Sequence, residues 1–254
     1  MYLYAIQISM YGGINMNIYE PQPISGLLEG NAYPGRGIII GKTPDGCSAV
    51  AAYFIMGRSA NSRNRIFEEK NGCLYTAPYD ASRVVDPSLI IYPAIREFEN
   101  HLIVTNGDHT DTVYEGLKNG ISFDAALAAR QFEPDGPNWT PRISGLLTFA
   151  DNDFSYKMSI LKSGDAAGTV CSRFSFHYAS RPGIGHFLHT YQCDGNPLPA
   201  FQGEPRLVSI NDDIDALTAD IWNALDEDNK ISLYVRYTDL TDGSSVSRMV
   251  NKNQ

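Results

Sequence analysis

Apolar positions change their spacing along this chain. Gly37–Gly41 and Cys47–Met56 are short apolar runs of strand length. Between them, Lys42-Thr43-Pro44-Asp45-Gly46 carries Pro-Asp-Gly turn chemistry, so the pair predicts a β-hairpin. Ser88–Ile95 and His101–Thr105 are two more β-rich runs, separated by the charged stretch Arg96–Asn100. Thr110–Lys118 and Ser122–Gln131 read as helices; Asn119-Gly120 stops the first and Ser122 caps the second. After Glu133–Pro141 the period becomes two. Arg142–Ala150, Phe154–Lys162 and Thr169–Ala179 predict a meander with turns at Asp151-Asn152 and Ser163-Gly164. Gly185–Tyr191 adds a strand, Ile214–Leu225 a helix capped by Asp212 or Asp213, and Ile231–Tyr237 a final strand. Residues 11–35, rich in Gly, Asn and Pro, read as loop, and there is no internal repeat.

Many of these strands come in adjacent hairpin-like pairs with few helices between them. That arrangement predicts an α+β fold with mostly antiparallel sheets rather than a doubly wound parallel sheet. The apolar strand faces need cover, which two stacked sheets flanked by helices would supply. The pattern alone leaves the number of layers open.

With 254 residues, 43% hydrophobic and 19% charged, the chain is long and apolar enough for one layered domain. Charge refines this. The net formal charge of −9 argues against coating nucleic acid or anionic lipid. Residues 36–65 nevertheless carry Arg36, Lys42, Arg58, Arg63 and Arg65 against Asp45 alone, a net of +4, whereas residues 194–254 are net −6. A basic island in an acidic protein points to a small anionic ligand, and arginine suits phosphate or carboxylate. No apolar run approaches the roughly 18 residues of a membrane helix. Met1–Met10 lacks the features of a signal peptide. Cys47, Cys73, Cys171 and Cys193 are widely spaced, which fits reduced thiols in a cytoplasmic protein.

Three stretches could carry chemistry. Gly57-Arg58-Ser59-Ala60-Asn61-Ser62-Arg63-Asn64-Arg65 follows a strand and offers guanidinium, hydroxyl and amide donors with no acid among them, which suits a phosphate. Thr105-Asn106-Gly107-Asp108-His109-Thr110-Asp111-Thr112 is a strand-to-helix junction suited to an anion or polar ring atoms. Asp108, His109 and Asp111 could also ligate a metal, but their spacing matches no metal motif, and acids there are more often helix caps. Phe132 to Ile143 holds Glu133 and Asp135 in a loop stiffened by three prolines, where a rigid acid could accept or orient a proton. His186 and His189 fall on opposite faces of one strand, and Gly183-x-Gly185 lacks the rest of a dinucleotide fingerprint.

Taken in order, five stretches resemble the archaeal-type IMP cyclohydrolase family: Tyr33-Pro34-Gly35-Arg36, Tyr53 to Arg65, Tyr92-Pro93-Ala94-Ile95-Arg96, Asn106 to Thr112, and Glu133 to Ile143. The resemblance implies a four-layer αββα sandwich like that of N-terminal nucleophile hydrolases. It covers roughly residues 33–145 and more loosely reaches Tyr191; the chain is expected to form one domain spanning 1–254, with 1–32 as an N-terminal extension and 192–254 as an acidic part packed on the same domain. The resemblance implies closure of the purine ring of 5-formamidoimidazole-4-carboxamide ribonucleotide to IMP with loss of water, without metal or cofactor. Under it Tyr92, Glu133 and Arg63 take catalytic positions, with Arg65 the alternative for the arginine. Arg36, Arg58, Ser59, Asn61, Arg65, Asn106, Gly107, Asp108, Thr140 and Arg142 take substrate-binding ones. The expected partner is a small purine ribonucleotide, not nucleic acid or membrane, and a homo-oligomer is left open. Two competing readings are a non-catalytic purine-nucleotide-binding protein and a hydrolase of a related ribonucleotide amide.

Overall fold

A computed structural model describes residues 19–84 and 91–254. Among the described residues thirteen strands form two sheets in which every strand-to-strand pairing is antiparallel. In the first, β1 (Arg36–Lys42) and β2 (Ser48–Met56) are the expected hairpin, joined by β10 (Ile184–His189), β11 (Arg206–Ser209), β12 (Lys230–Asp239) and β13 (Ser245–Asn251) in the order β11-β10-β1-β2-β12-β13. The second runs in chain order through β3 (Arg65–Lys70), β4 (Cys73–Pro78), β5 (Pro93–Phe98), β6 (His101–Thr105), β7 (Arg142–Ala150), β8 (Asp153–Ser163) and β9 (Cys171–Ala179).

The sheets stack face to face. Ile38, Ile40, Tyr53 and Ile55 from one meet Leu74, Val104, Ile143 and Met158 from the other in a shared core. On the outer face of the first sheet, α1 (Ile24–Leu28) and α5 (Ile214–Ala224) cover Ile39, Phe54 and Val235. On the outer face of the second, α3 (His109–Lys118) and α4 (Phe123–Leu127) cover Ile103 and Leu146. The continuous apolar run of β2 follows from this layering. Ala49, Ala51, Tyr53 and Ile55 face the other sheet, while Val50, Ala52, Phe54 and Met56 face the helices. Each large aliphatic or aromatic side chain fully buried in this way stabilises the fold by about 1.5–3 kcal/mol.

Several expectations need correction. Residues 24–28 form α1, where Ile24 and Leu28, one turn apart, pack on α5. The helix expected to reach Gln131 ends at Leu127. The strand expected at Ser88–Ile95 starts at Pro93, with residues 88–90 outside the described part. Strands β3, β4, β11 and β13 are additions to the expected set, and β12 is not the last strand. β3, β11 and β13 lie at sheet edges, where half-exposed, polar-rich sequences carry little periodic signal. The acidic C-terminal part supplies β12, which pairs with β2 near the middle of the first sheet. Among the described residues no helix is long and apolar enough to cross a membrane.

Candidate active site

One end of the sandwich collects the start of β1, the end of β2, the starts of β3 and β7, and the end of β6. Gly35 turns the chain into β1 at φ +84°, and a Cβ there would lie 2.2 Å from Thr190 Oγ1. Only glycine fits, and the next residue, Arg36, thereby enters this end of the fold with its amide donating to Thr190 Oγ1 at 3.1 Å. Its Nη2 lies 4.0 Å from Oε2 of Glu133, which is 3% exposed.

Glu133 is held by its own loop. Its amide donates to the Thr140 carbonyl at 2.9 Å. Asp135 closes the loop by accepting from both the Thr140 amide (2.7 Å) and the Thr140 hydroxyl. Because that hydroxyl has one proton and gives it to the carboxylate, it accepts from the Tyr191 hydroxyl. Tyr191 in turn stacks on Tyr33 with ring centroids 5.8 Å apart.

Arg65, the first residue of β3, is 1% exposed. Its Nε donates to the Ser62 carbonyl at 2.8 Å and its Nη2 to the Met56 carbonyl at 3.0 Å. Arg65 Nη1 and Arg36 Nε are buried with no hydrogen-bond partner among the described residues. Such donors are costly to leave bare, so they mark a place where an oxygen-rich ligand would be stabilised. Tyr92 sits just before β5. Thr76 grips its backbone, accepting from the Tyr92 amide at 3.0 Å and donating through its own amide to the Tyr92 carbonyl at 3.0 Å. The Tyr92 and Tyr53 hydroxyls are 2.9 Å apart.

The charges are tightly coupled. Burial pushes the Glu133 carboxyl above its ordinary range, Arg36 and Arg142 pull it back, and Asp135 adds to the rise. Burial also works against the Arg36 charge, but Glu133 and the hydroxyls of Tyr92, Tyr191 and Tyr33 more than offset it, so its pKa stands above the usual arginine value. Burial and then the like charge of Arg36 lower Arg65. Two cations, one carboxylate and a tyrosine hydroxyl are therefore gathered at low exposure, an arrangement able to take a proton at one place and stabilise negative charge at another.

A family of IMP cyclohydrolase-like proteins matches residues 33–243 of this chain. The chain belongs to the IMP cyclohydrolase-like family. The IMP cyclohydrolase of Methanococcus aeolicus is 30% identical over 173 residues, which cover 63% of this chain and 75% of that protein. That of Methanopyrus kandleri is 28% identical over 185 residues, covering 67% and 89%. The IMP cyclohydrolase of Methanothrix thermoacetophila is 32% identical over 123 residues, covering 46% and 58%.

The structure of this IMP cyclohydrolase-like chain separates the residues singled out in its sequence. Arg36, Arg65, Tyr92 and Glu133 come together. Arg63 points elsewhere: Nε donates to the Gly57 carbonyl and Nη2 to Asn229 Oδ1, both at 3.1 Å. Arg58 pairs with Asp194 at 2.5 Å and lies 5.1 Å from the Tyr33 ring centroid. Ser59 caps the short helix α2 (Ala60–Arg63) through a reciprocal bond with Ser62. Asn61 Oδ1 is buried without a partner among the described residues. Asn106 spends both ends of its amide on the entry to β7, donating to the carbonyl of Pro141 just before the strand (2.9 Å) and accepting from the Ile143 amide within it (2.8 Å).

Gly107 lets Arg142 approach, since a Cβ there would lie 2.7 Å from Arg142 Nη1. Arg142 donates to Asp108 at 2.6 Å and to His109 Nδ1 at 3.1 Å. His109 must then donate from Nε2 to the Ile143 carbonyl, and burial with Arg142 beside it pushes its pKa down to about 3. Arg130 takes the other oxygen of Asp108, and Arg96 pairs with Asp111 at 2.5 Å. The side chains weighed as metal ligands are thus engaged by arginines, and among the described residues no group of three His, Cys, Asp or Glu side chains converges. Tyr53 and Tyr191 join the site as well; Tyr53 stands at the head of a family-matching stretch, but neither carries a signal of its own in the sequence. Nothing in the pattern of β2 distinguishes Tyr53 from a core aromatic; only its hydroxyl partner does.

Proposed function

We propose that this chain is an IMP cyclohydrolase that closes the ring of 5-formamidoimidazole-4-carboxamide ribonucleotide, with Glu133, Tyr92, Arg36 and Arg65 at the reaction centre. The observation that carries this reading is the burial of a carboxylate and a tyrosine hydroxyl beside two guanidiniums with unused donors, in a member of this family. The carboxamide nitrogen bonds to the formyl carbon, so its nucleophilicity and the charge on the formyl oxygen set the barrier. Glu133 takes the proton from the carboxamide nitrogen. Tyr92 donates to the formyl oxygen, and Arg65 and Arg36 compensate the negative charge. Glu133 passes its proton to the same oxygen, which leaves as water with that proton and the one from Tyr92, and the proton lost by the formamide nitrogen restores Tyr92.

Arg65 replaces Arg63 in this assignment, because Arg63 faces Asn229 away from Glu133 and Tyr92. Arg58, Ser59 and Asn61 are assigned to the ribonucleotide phosphate, which requires Arg58 to exchange Asp194 for the ligand. Two stacked antiparallel sheets between helices support a four-layer fold like that of N-terminal nucleophile hydrolases, read here as one domain. A soluble metabolite as substrate and four unpaired cysteines support a cytoplasmic location.

Incubation of the protein with the formamido ribonucleotide tests the reading. Ultraviolet absorbance should report purine formation. Tight binding of IMP with no conversion would instead identify a nucleotide-binding protein without turnover, and release of formate would identify a hydrolase.

A further inference from the structure

Tyr53 carries a hydroxyl where the fold has no structural need of one. The ring lies on the face of β2 that meets the second sheet, fully buried, with the Phe67 ring 5.5 Å away by centroid. Phenylalanine would fill the same space. Among the described residues the only hydrogen-bond partner of the Tyr53 hydroxyl is the Tyr92 hydroxyl, at 2.9 Å. The main chain of Tyr92 is already fixed by Thr76, so the bond is not needed to hold that segment. Both guanidiniums of the site act on both hydroxyls. The two tyrosines thus form a hydrogen-bonded pair facing Arg36 and Arg65.

We propose that Tyr53 is a positioning residue for the reaction, aiming the Tyr92 hydroxyl and donating a hydrogen bond to its oxygen as Tyr92 passes its proton to the substrate. The inference rests on the reading of Tyr92 given above. In the resting pair either hydroxyl can donate. Once Tyr92 has given up its proton, its oxygen is an acceptor only, and Tyr53 is the donor in reach. A hydrogen bond to a charged oxygen is stronger than one between neutral hydroxyls, so the interaction tightens as the reaction proceeds. Tyr53 keeps its own proton throughout and never touches the substrate.

The test compares Tyr53→Phe, Tyr92→Phe and the double variant in the full chain, measuring kcat, KM for the formamido ribonucleotide, IMP affinity and thermal unfolding. Tyr53→Phe should lower kcat about 10–100-fold, the value of one lost hydrogen bond to a charged group. KM and IMP affinity should stay within about twofold. In the Tyr92→Phe background, Tyr53→Phe should cost nothing further, because its acceptor is gone. The inference is overturned if Tyr92→Phe is impaired while Tyr53→Phe turns over normally. It is overturned equally if the two losses multiply, or if kcat falls only in step with a raised KM and a lowered unfolding temperature. Normal turnover in Tyr92→Phe would instead remove the assignment of Tyr92 and this inference with it.

Discussion

Glu133 Oε2 and Arg36 Nη2 lie 4.0 Å apart at the end of the sandwich, joining the 133–140 loop to the first residue of β1 across nearly a hundred positions of sequence. The pair is close enough for attraction and too long for a hydrogen bond, so the carboxylate keeps lone pairs for a substrate proton. Burial favours the neutral form of Glu133, and Arg36 counters that without quenching its basicity.

The first prediction follows from that balance. Glu133 acts as a base only when ionised, and its pKa is raised, chiefly by burial against the pull of Arg36 and Arg142. Activity should rise with pH through a midpoint above the ordinary carboxylate range. Arg36→Gln should move that midpoint higher still, because Arg36 is the cation that most favours the ionised carboxylate. Glu133→Gln should lower kcat by about 10²–10⁴-fold and abolish the limb. A pH–rate profile of the three proteins checks it; an unchanged limb in Glu133→Gln would refute the role.

The two arginines of the loop should behave differently. Arg63→Ala removes a half-buried hydrogen bond to Gly57 and an exposed one to Asn229 from an exposed side chain, so stability should change by less than about 1 kcal/mol and kcat should be unaffected. Arg65→Lys keeps a charge but loses the fork that binds Ser62 and Met56 with one nitrogen to spare. Its kcat/KM should fall at least about tenfold, the loss of one charge-assisted hydrogen bond. Steady-state kinetics and denaturant titration distinguish them.

Close strand approach gives Gly185 a structural role. Gly41 and Gly185 face each other in the β1–β10 ladder, and a Cβ on Gly185 would lie 2.7 Å from the Ile40 carbonyl oxygen. Backbone cannot move away as a side-chain tip can. Gly185→Ala should therefore destabilise by about 1–3 kcal/mol, read as a lower denaturant midpoint at unchanged slope.

Buried neutral histidines set the acid response. His109 and His189 are depressed to about 3 and about 4, mainly by burial. In the unfolded chain both would titrate near 6.5. Their contribution is complete above that value and is lost as pH falls toward the folded pKa values, since only the unfolded chain takes up the protons. Between pH 6.5 and 5, unfolding free energy should drop with a slope of at most about 1.4 kcal/mol per pH unit for each histidine. Denaturant titration at pH 7, 6 and 5 checks this; a flat dependence would mean the rings are hydrated.

Most elements were legible in the sequence because their apolar spacing records which faces are covered. The β1–β2 hairpin, the period-two run of β7 to β9 and the cap of α5 all follow from local rules, and β7 matches its expected bounds, Arg142–Ala150. The loop prolines and glycines marked where the chain must turn, and the motif order pointed to the family. The edge strands β3, β11 and β13 escaped, because residues with no neighbour on one side need no apolar pattern; β9, also at an edge, kept a period of two, and the inner strand β4 escaped as well.

The chemistry was decided at a different level. Arg63 and Arg65 are equivalent in composition and two positions apart, yet one ends at the surface and the other at 1% exposure. Arg63 closes α2 and Arg65 opens β3, so the change of backbone direction at Asn64 sends the two side chains apart. Tyr53 looks like any strand aromatic until the second sheet brings Tyr92 to its hydroxyl. A sequence specifies periodicity, caps and turns through neighbours a few residues apart. Which guanidinium, carboxylate and hydroxyl meet is set by strand register and by the stacking of two sheets, contacts between residues tens of positions apart that no local spacing records.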